Sequence, residues 1–482
     1  MNPLVKLHEK RKVARRLVKV SLPNRQVLDM GLKSGPDGVK AQFREKFFKS
    51  FGKVDRLTDL VKGLNQSREG IINVIDGNVL LMAAPQSVQS YYEYVTYTRH
   101  ALRQHAEAAT LLLVVFDEPK HLTTAKLEEQ IRRDEVGEKR AMVCSDDLAA
   151  PVNDEYDLDE LVKVINCREL ILHRPARLRF FDSIIMAVLE EGKRQGRVGR
   201  GSPLEIAEII VDGIDGRGAN RPVDEDRVAG VVGTDAELVE WFSRETGHHI
   251  GEGDLKLTWA SIRSDELIAE GQLEATTCLL TTIDTDSLLV ETIETAKRRS
   301  LPKQEGRTKR ILCMRERSSK ESGPYYTICD LEALHNQLVK HLWSVAPELP
   351  TPEVSLHAML LTSAALAVCG CDFCCIAGMT AERVLEVLPK LLAANAHEGG
   401  ELLAPIVSMN ETRAAAKRVA RPLREVVASV EELTVDIKGL RKKTRQSLAD
   451  PDPDHLKRAA WVIAYWSGTT WGGSLVDFGF SL

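Results

Sequence analysis

The sequence predicts an α/β protein with a central, mostly parallel sheet, and three runs of residues carry that prediction. Ile71–Asp76 (IINVID), Leu111–Asp117 (LLLVVFD) and Cys278–Leu289 (CLLTTIDTDSLL) are short, apolar, β-branched stretches. Each reaches one or more acids, and the first two then give way to a helical pattern. Continuous apolar strands suit a sheet buried on both faces, and strand–helix alternation puts a site beyond the carboxyl edge.

The 482 residues allow two to four domains, or one core with large insertions. Hydrophobic residues make up 43% and charged residues 28%, the balance of a globular protein. No stretch approaches the ~20 apolar residues that cross a bilayer, so no membrane partner is expected. The run Ala358–Cys369 is too short for that and reads as a buried helix. Nine cysteines in no spaced framework, and no secretory apolar region at the start, point to free thiols in a reducing, intracellular compartment, nucleus or cytoplasm.

Charge is segregated along the chain. Residues 1–50 carry thirteen Lys/Arg against four Asp/Glu, and Arg413–Arg445 carries ten against four. Asp146–Glu160 has seven acids and no base. A single charge run is usually a solvated face, but two basic runs around an acidic interior suit a polyanion partner.

Taken in order, residues 1–29 read as a basic, amphipathic N-terminal extension with Val13, Leu17 and Val20 on one side. Residues 30–133 hold the first two strands and form the N-terminal part of the core. Residues 134–240 are uneven in composition and read as an insertion over the core. Within it, Ile209–Asp215 (IIVDGID) is strand-like and echoes VIDGN of residues 74–78, a match too short to establish a repeat. Residues 241–345 return to the core, 346–447 are mainly helical, and 448–482 form a tail opened by Pro451 and Pro453.

Acids recur where strands should end: Asp76, Asp117, the pair Glu252/Asp254 in GEGDLK, the pair Asp284/Asp286, and Asp372 in CGCDFC. Taken singly, an Asp after a strand is most often a turn or a helix cap. Two acids two residues apart on an extended segment point to one side, so each pair is expected to offer its oxygens to one place. Seven carboxylates in one pocket repel unless cations neutralise them. Hard divalent ions bind carboxylate oxygen, and two of them about 4 Å apart activate water for phosphodiester hydrolysis.

In this order the motifs resemble the 5′ nucleases of the flap-endonuclease superfamily, which includes the xeroderma-type repair nucleases and the viral host-shutoff type. Met30-Gly-Leu-Lys33 resembles the family's N-terminal start, and VIDGN, VVFDEP, GEGDLK and TIDTDSLL resemble its acidic motifs. Leu366–Leu388 resembles its last Asp followed by a Gly-bounded helix–turn–helix that grips duplex. The resemblance implies a PIN-like core carrying a large arch or cap and a helical duplex-binding part. It also implies two Mg²⁺ ions, for which Mn²⁺ can substitute. Asp76, Asp117, Glu252 and Asp254 would hold one ion, and Asp284, Asp286 and Asp372 would complete the second site. Lys126 and Arg133, two helical turns apart, look like the basic pair that steadies the scissile phosphate, although KLEEQIRR also contains its own salt-bridge partners. Gly378, Thr380 and Arg383 fall on the duplex-gripping hairpin.

Some features depart from the family. Thr380 stands where the hairpin usually has a second Gly. Asp117 and Glu252 are 135 residues apart, long for a simple flap endonuclease. LVDFGF lacks the Gln of a sliding-clamp peptide, so clamp binding is not expected. Cys369, Cys371, Cys374 and Cys375 lack the second, separated ligand pair of a zinc site and read as packed thiols. His248 and His249 read as solvent-facing.

The expected partner is nucleic acid. The hairpin favours DNA with single-strand/double-strand junctions. GEGDLK and TIDTDSLLV are also similar to RNA-cleaving members, host-shutoff or 5′-to-3′ exoribonuclease. A third reading, a non-catalytic nucleic-acid-binding scaffold, sits poorly with the retention of an acid at all seven positions.

Overall fold

The computed structural model describes residue 43, residues 52–66, 70–81, 91–116, 207–214, 230–244, 253–300, 307–316 and 325–349, and a few between 362 and 389. It is α/β, with a mixed sheet and helices, and divides into two units; among the described residues the first is built from those between 54 and 283 and the second from 43, 52–53, 284–300, 307–316, 325–349 and the few between 362 and 389.

The first unit holds α1 (Leu57–Gly63), β1 (Ile71–Asp76), α2 (Gly77–Leu81), α3 (Tyr91–Glu107), β2 (Leu111–Val115) and β3 (Glu208–Ile214). β4 (Gly230–Gly233), α4 (Ala236–Arg244), α5 (Gly253–Ala269) and β5 (Thr277–Thr282) complete it. Its strands lie in the order β5-β1-β2-β3-β4, parallel except for β4, which is antiparallel to β3. Every residue of β1, β2 and β5 is buried, as expected of parallel strands covered on both faces.

Two helices supply that cover. α3 buries Thr98, Ala101, Leu102, His105 and Ala106, an i, i+3, i+4, i+7, i+8 stripe. The buried side-chain amide of Asn73 on β1 lies 3.3 Å from His105 Nδ1, and its oxygen accepts the Thr281 hydroxyl of β5 at 2.9 Å, so one side chain ties two strands to α3. α5 packs on β1, β2 and β5. It is buried nearly all round, and its inward serines and the Arg263 guanidinium bond to nearby carbonyls. Ser261 and Ser264 donate to the carbonyls of Thr258 and Ala260 at 2.8 and 2.7 Å, and Arg263 donates to the Trp241 carbonyl at 3.2 Å. Trp259 meets Phe242 of α4 edge-on, with ring centroids 6.2 Å apart. Gly271, at φ 74°, ends α5 in the left-handed conformation that glycine adopts without strain.

The position of β3 revises the sequence reading. Glu208–Ile214 falls inside residues 134–240, read as an insertion, yet it pairs along β2 as a core strand, and β4 and the start of α4 follow from the same stretch. The apolar IIV segment is buried against the sheet, which is where its hydrophobicity places it.

The second unit holds α6 (Asp286–Ser300), β6 (Lys309–Glu316), β7 (Tyr325–Asp330) and α7 (Leu331–Val345). β6 and β7 pair antiparallel, from Ile311 with Asp330 to Glu316 with Tyr325. Asp330 caps α7, its Oδ1 accepting the N–H groups of Glu332 and Ala333 at 3.1 Å. Arg310 is fully buried, with Glu291 at 3.5 Å and Glu294 at 4.0 Å, both on α6.

Cys278, Cys313 and Cys329 are buried free thiols. No helix among the described residues is long and apolar enough to cross a membrane.

Candidate functional site

Asp76 is the last residue of β1 and is 3% exposed. Its Oδ1 accepts the backbone N–H of Asn78 at 2.9 Å and the Asn78 side-chain amide at 3.0 Å. The strand therefore ends in an Asx turn that starts α2 and fixes the carboxylate. Glycine is required between them, because a Cβ on Gly77 would fall within the Phe116 ring at the end of β2. That close approach joins the carboxyl ends of β1 and β2. The Phe116 N–H continues the row by donating to the Asp212 carbonyl at 3.0 Å.

Asp212 was not among the acids the sequence singled out. It pairs with Val115, which pairs with Asp76, so the two aspartates share one row of the sheet, two strands apart, about 10 Å between Cα atoms. In-register residues on parallel strands face the same way, so Asp76 and Asp212 point to one face. Asn73, three residues before Asp76, faces the opposite side and α3. The face of the aspartates is that of α5: Lys256, 1% exposed, sets its Nζ 2.9 Å from Asp212 Oδ2. Directly after Asp212 the β3–β4 register slips by one residue, a bulge of the kind that bends a strand end. A signal for Asp212 was present in the sequence: VDG at residues 211–213 repeats the Asp-Gly of residues 76–77.

Asp254 stands in the first turn of α5 and is half-buried. This corrects the expectation of an extended GEGDLK segment. An acid in the first turn is favoured by the N-terminal end of the helix dipole. Asp284 and Asp286 belong to the second unit and are likewise not on a strand. β5 stops at Thr282, and Asp286 opens α6, its N–H donating to Asp284 Oδ1 at 3.1 Å. Here the helix start, rather than strand alternation, sets the geometry.

Asp117, Glu252, Asp372, Lys126, Arg133, Gly378, Thr380 and Arg383 lie outside the described residues, as do the four-cysteine group and the His248-His249 pair. Of the seven predicted ligands, the first unit thus contributes Asp76 and Asp254 among the described residues, and the second Asp284 and Asp286. No group of three or more His, Cys, Asp or Glu that could hold a metal occurs among the described residues. The donor chemistry at Asp76 and Asp254 is hard carboxylate oxygen, which fits Mg²⁺ and not a soft metal. Asp212 differs from both, since its charge is already met by Lys256. The sequence matches no protein-family model and no curated protein.

Proposed function

We propose that the chain is a Mg²⁺-dependent, structure-selective 5′ nuclease with a PIN-like core, hydrolysing phosphodiester bonds in DNA. One observation carries this reading. β5, β1 and β2 lie side by side and parallel, β1 ends in the buried Asp76, and in the sequence an acid follows within two residues of the end of each of the other two strands. β1 is also where the strand order reverses. The chain runs outward from β1 through β2 and β3, then returns to place β5 on its other side. Ligands of open α/β sheets bind outside the carboxyl ends at such a reversal.

Asp76, Asp117, Glu252 and Asp254 would hold one Mg²⁺, and Asp284, Asp286 and Asp372 the second; Mn²⁺ can take their place. Ions so held supply a nucleophile at neutral pH and neutralise charge on the phosphate. The chain's own part is orientation. The Asn78 donors fix the Asp76 carboxylate, and burial strengthens its attraction for a cation. Lys126 and Arg133 would steady the scissile phosphate, and Gly378, Thr380 and Arg383 would grip the duplex. An RNA-cleaving member of the superfamily is the second reading, supported by the GEGDLK and TIDTDSLLV motifs.

Side-by-side assays with 5′-flap DNA, nicked duplex and single-stranded RNA in Mg²⁺ test the proposal. Wild type is expected to cut flap DNA, and Asp76→Asn to lose at least about a thousandfold of that rate, roughly 4 kcal/mol of barrier. Cleavage of RNA alone selects the second reading. Cleavage of none by wild type leaves the scaffold.

A further inference from the structure

We infer that the buried Asp212–Lys256 pair is a positioning device that fixes the first turn of α5, the turn that bears Asp254, against β3 at the row of the sheet that holds Asp76. This rests on the metal-dependent reading of the carboxyl edge and adds to it a role for Asp212, outside the acidic motifs, and for Lys256, the last residue of GEGDLK.

Four observations combine. Asp212 and Asp76 occupy the same sheet row and face the same side, so a group docked on Asp212 is docked at the level of Asp76. Lys256 is two residues beyond Asp254 and within the opening turn of α5, so the 2.9 Å contact fixes the end of the helix that bears Asp254. Both partners are buried, Lys256 at 1% and Asp212 at 8%, and each already meets the other's charge at 2.9 Å, so the pair serves by holding the helix rather than by offering a free charge. Finally, the rest of α5 already packs on β1, β2 and β5 by apolar contact. Apolar packing tolerates small slides along the sheet. A charge pair at the helix end opposes them, because displacement leaves a buried ion without its counterion.

Lys256 on α5 thus contacts β3, while the helix body contacts the other three parallel strands. Ion pairing spends two buried charges on a place where hydrophobic residues would pack without penalty, which suits a demand for fixed geometry more than for stability.

The test separates geometry from stability by measuring Mn²⁺ binding directly, by calorimetry or by the loss of the free-ion EPR signal, alongside melting in EDTA. Wild type is compared with Asp212→Asn/Lys256→Met, which removes both charges, and with Lys256→Arg, which keeps the cation. The double variant is expected to melt within a few degrees of wild type and to bind Mn²⁺ at least tenfold more weakly, with Lys256→Arg recovering most of that loss. Asp212→Glu keeps the charge but adds one methylene, so it is expected to weaken Mn²⁺ several-fold at unchanged melting temperature. It supplies the comparison if the double variant does not fold. Unchanged Mn²⁺ affinity in the folded variants would overturn the inference while leaving the metal-dependent reading intact. A wild type that takes up no Mn²⁺ would instead remove that reading, and the inference with it.

Discussion

In the first unit the buried charges stand at the carboxyl end of a strand, Asp212 on β3 against Lys256 on α5; in the second they stand near the amino end of one, Arg310 on β6 against Glu291 and Glu294 on α6. The first group is balanced, one carboxylate to one ammonium. The second has two carboxylates around one guanidinium, whose planar fork can serve both. Burial is equally severe in the two, so desolvation costs are of similar kind. What differs is position. Asp212 lies at the carboxyl end of a parallel strand, the edge outside which ligands of α/β sheets bind, whereas Arg310 lies on a strand paired antiparallel with β7. Similar chemistry therefore serves geometry in one unit and cohesion between a helix and a hairpin in the other.

The largest expected effect separates the two groups by readout. Arg310→Met leaves two buried carboxylates without their cation and should destabilise by about 3–5 kcal/mol, at the upper end of that range. Lys256→Met strands only one, so it should fall at the lower end. Denaturant melts measure both. If the comparison holds, Arg310→Met leaves the Mn²⁺ affinity of the molecules still folded unchanged; an equal loss of affinity in both variants breaks it.

Histidine sharpens the contrast. His105 in the first unit lies beside the Asn73 amide, whereas His335 on α7 has no hydrogen-bond partner for Nδ1 among the described residues. Burial, and then the nearby Arg299, lowers the His335 pKa to about 4. Between pH ~6.5 and ~4 the unfolded chain takes up a proton that the folded chain refuses, so stability falls as pH falls through that window and is level above it. The loss should be on the order of 3 kcal/mol. Hydrogen exchange of α7 amides at pH 7 and pH 4.5 measures it, and His335→Leu should flatten the slope. A slope unchanged by that substitution assigns the effect to another group.

The smallest effect concerns caps. Asp330→Ala removes the acceptor for two N–H groups of α7 and the Lys309 partner at 2.7 Å, an exposed pair that adds little. A loss of about 1 kcal/mol is expected in thermal melts. Asp284→Ala is the matched change at α6, and a distinctly larger effect on Mn²⁺ binding than on melting would mark it as more than a cap.

The sheet core was legible because LLLVVF is apolar throughout and IINVID is broken only by Asn73 and its final Asp76, a pattern that suits strands covered on both faces. β3 was visible as a strand but not as a neighbour of β2, since 93 residues separate Val115 from Glu208 and periodicity carries no pairing information. Where a strand yields to a helix was also hidden. The acids of GDLK and DTDS read equally well as strand ends or as first-turn residues, and the structure assigns Asp254 and Asp286 to first turns. Lys256 could not be singled out: two residues after Asp254 in GDLK it looks solvated, and its burial depends on a partner 44 residues earlier. The hairpin of β6 and β7 was absorbed into residues 241–345 without being distinguished.

The seating of Phe116 on the bare Cα of Gly77 makes these two positions interdependent. A methyl at 77 becomes tolerable only once the ring at 116 shrinks, so descendants of this sequence should change the two sites together or at neither. Phe116→Ala combined with Gly77→Ala ought then to be healthier than Gly77→Ala alone, a rescue by subtraction at the very corner where two strands deliver their acids.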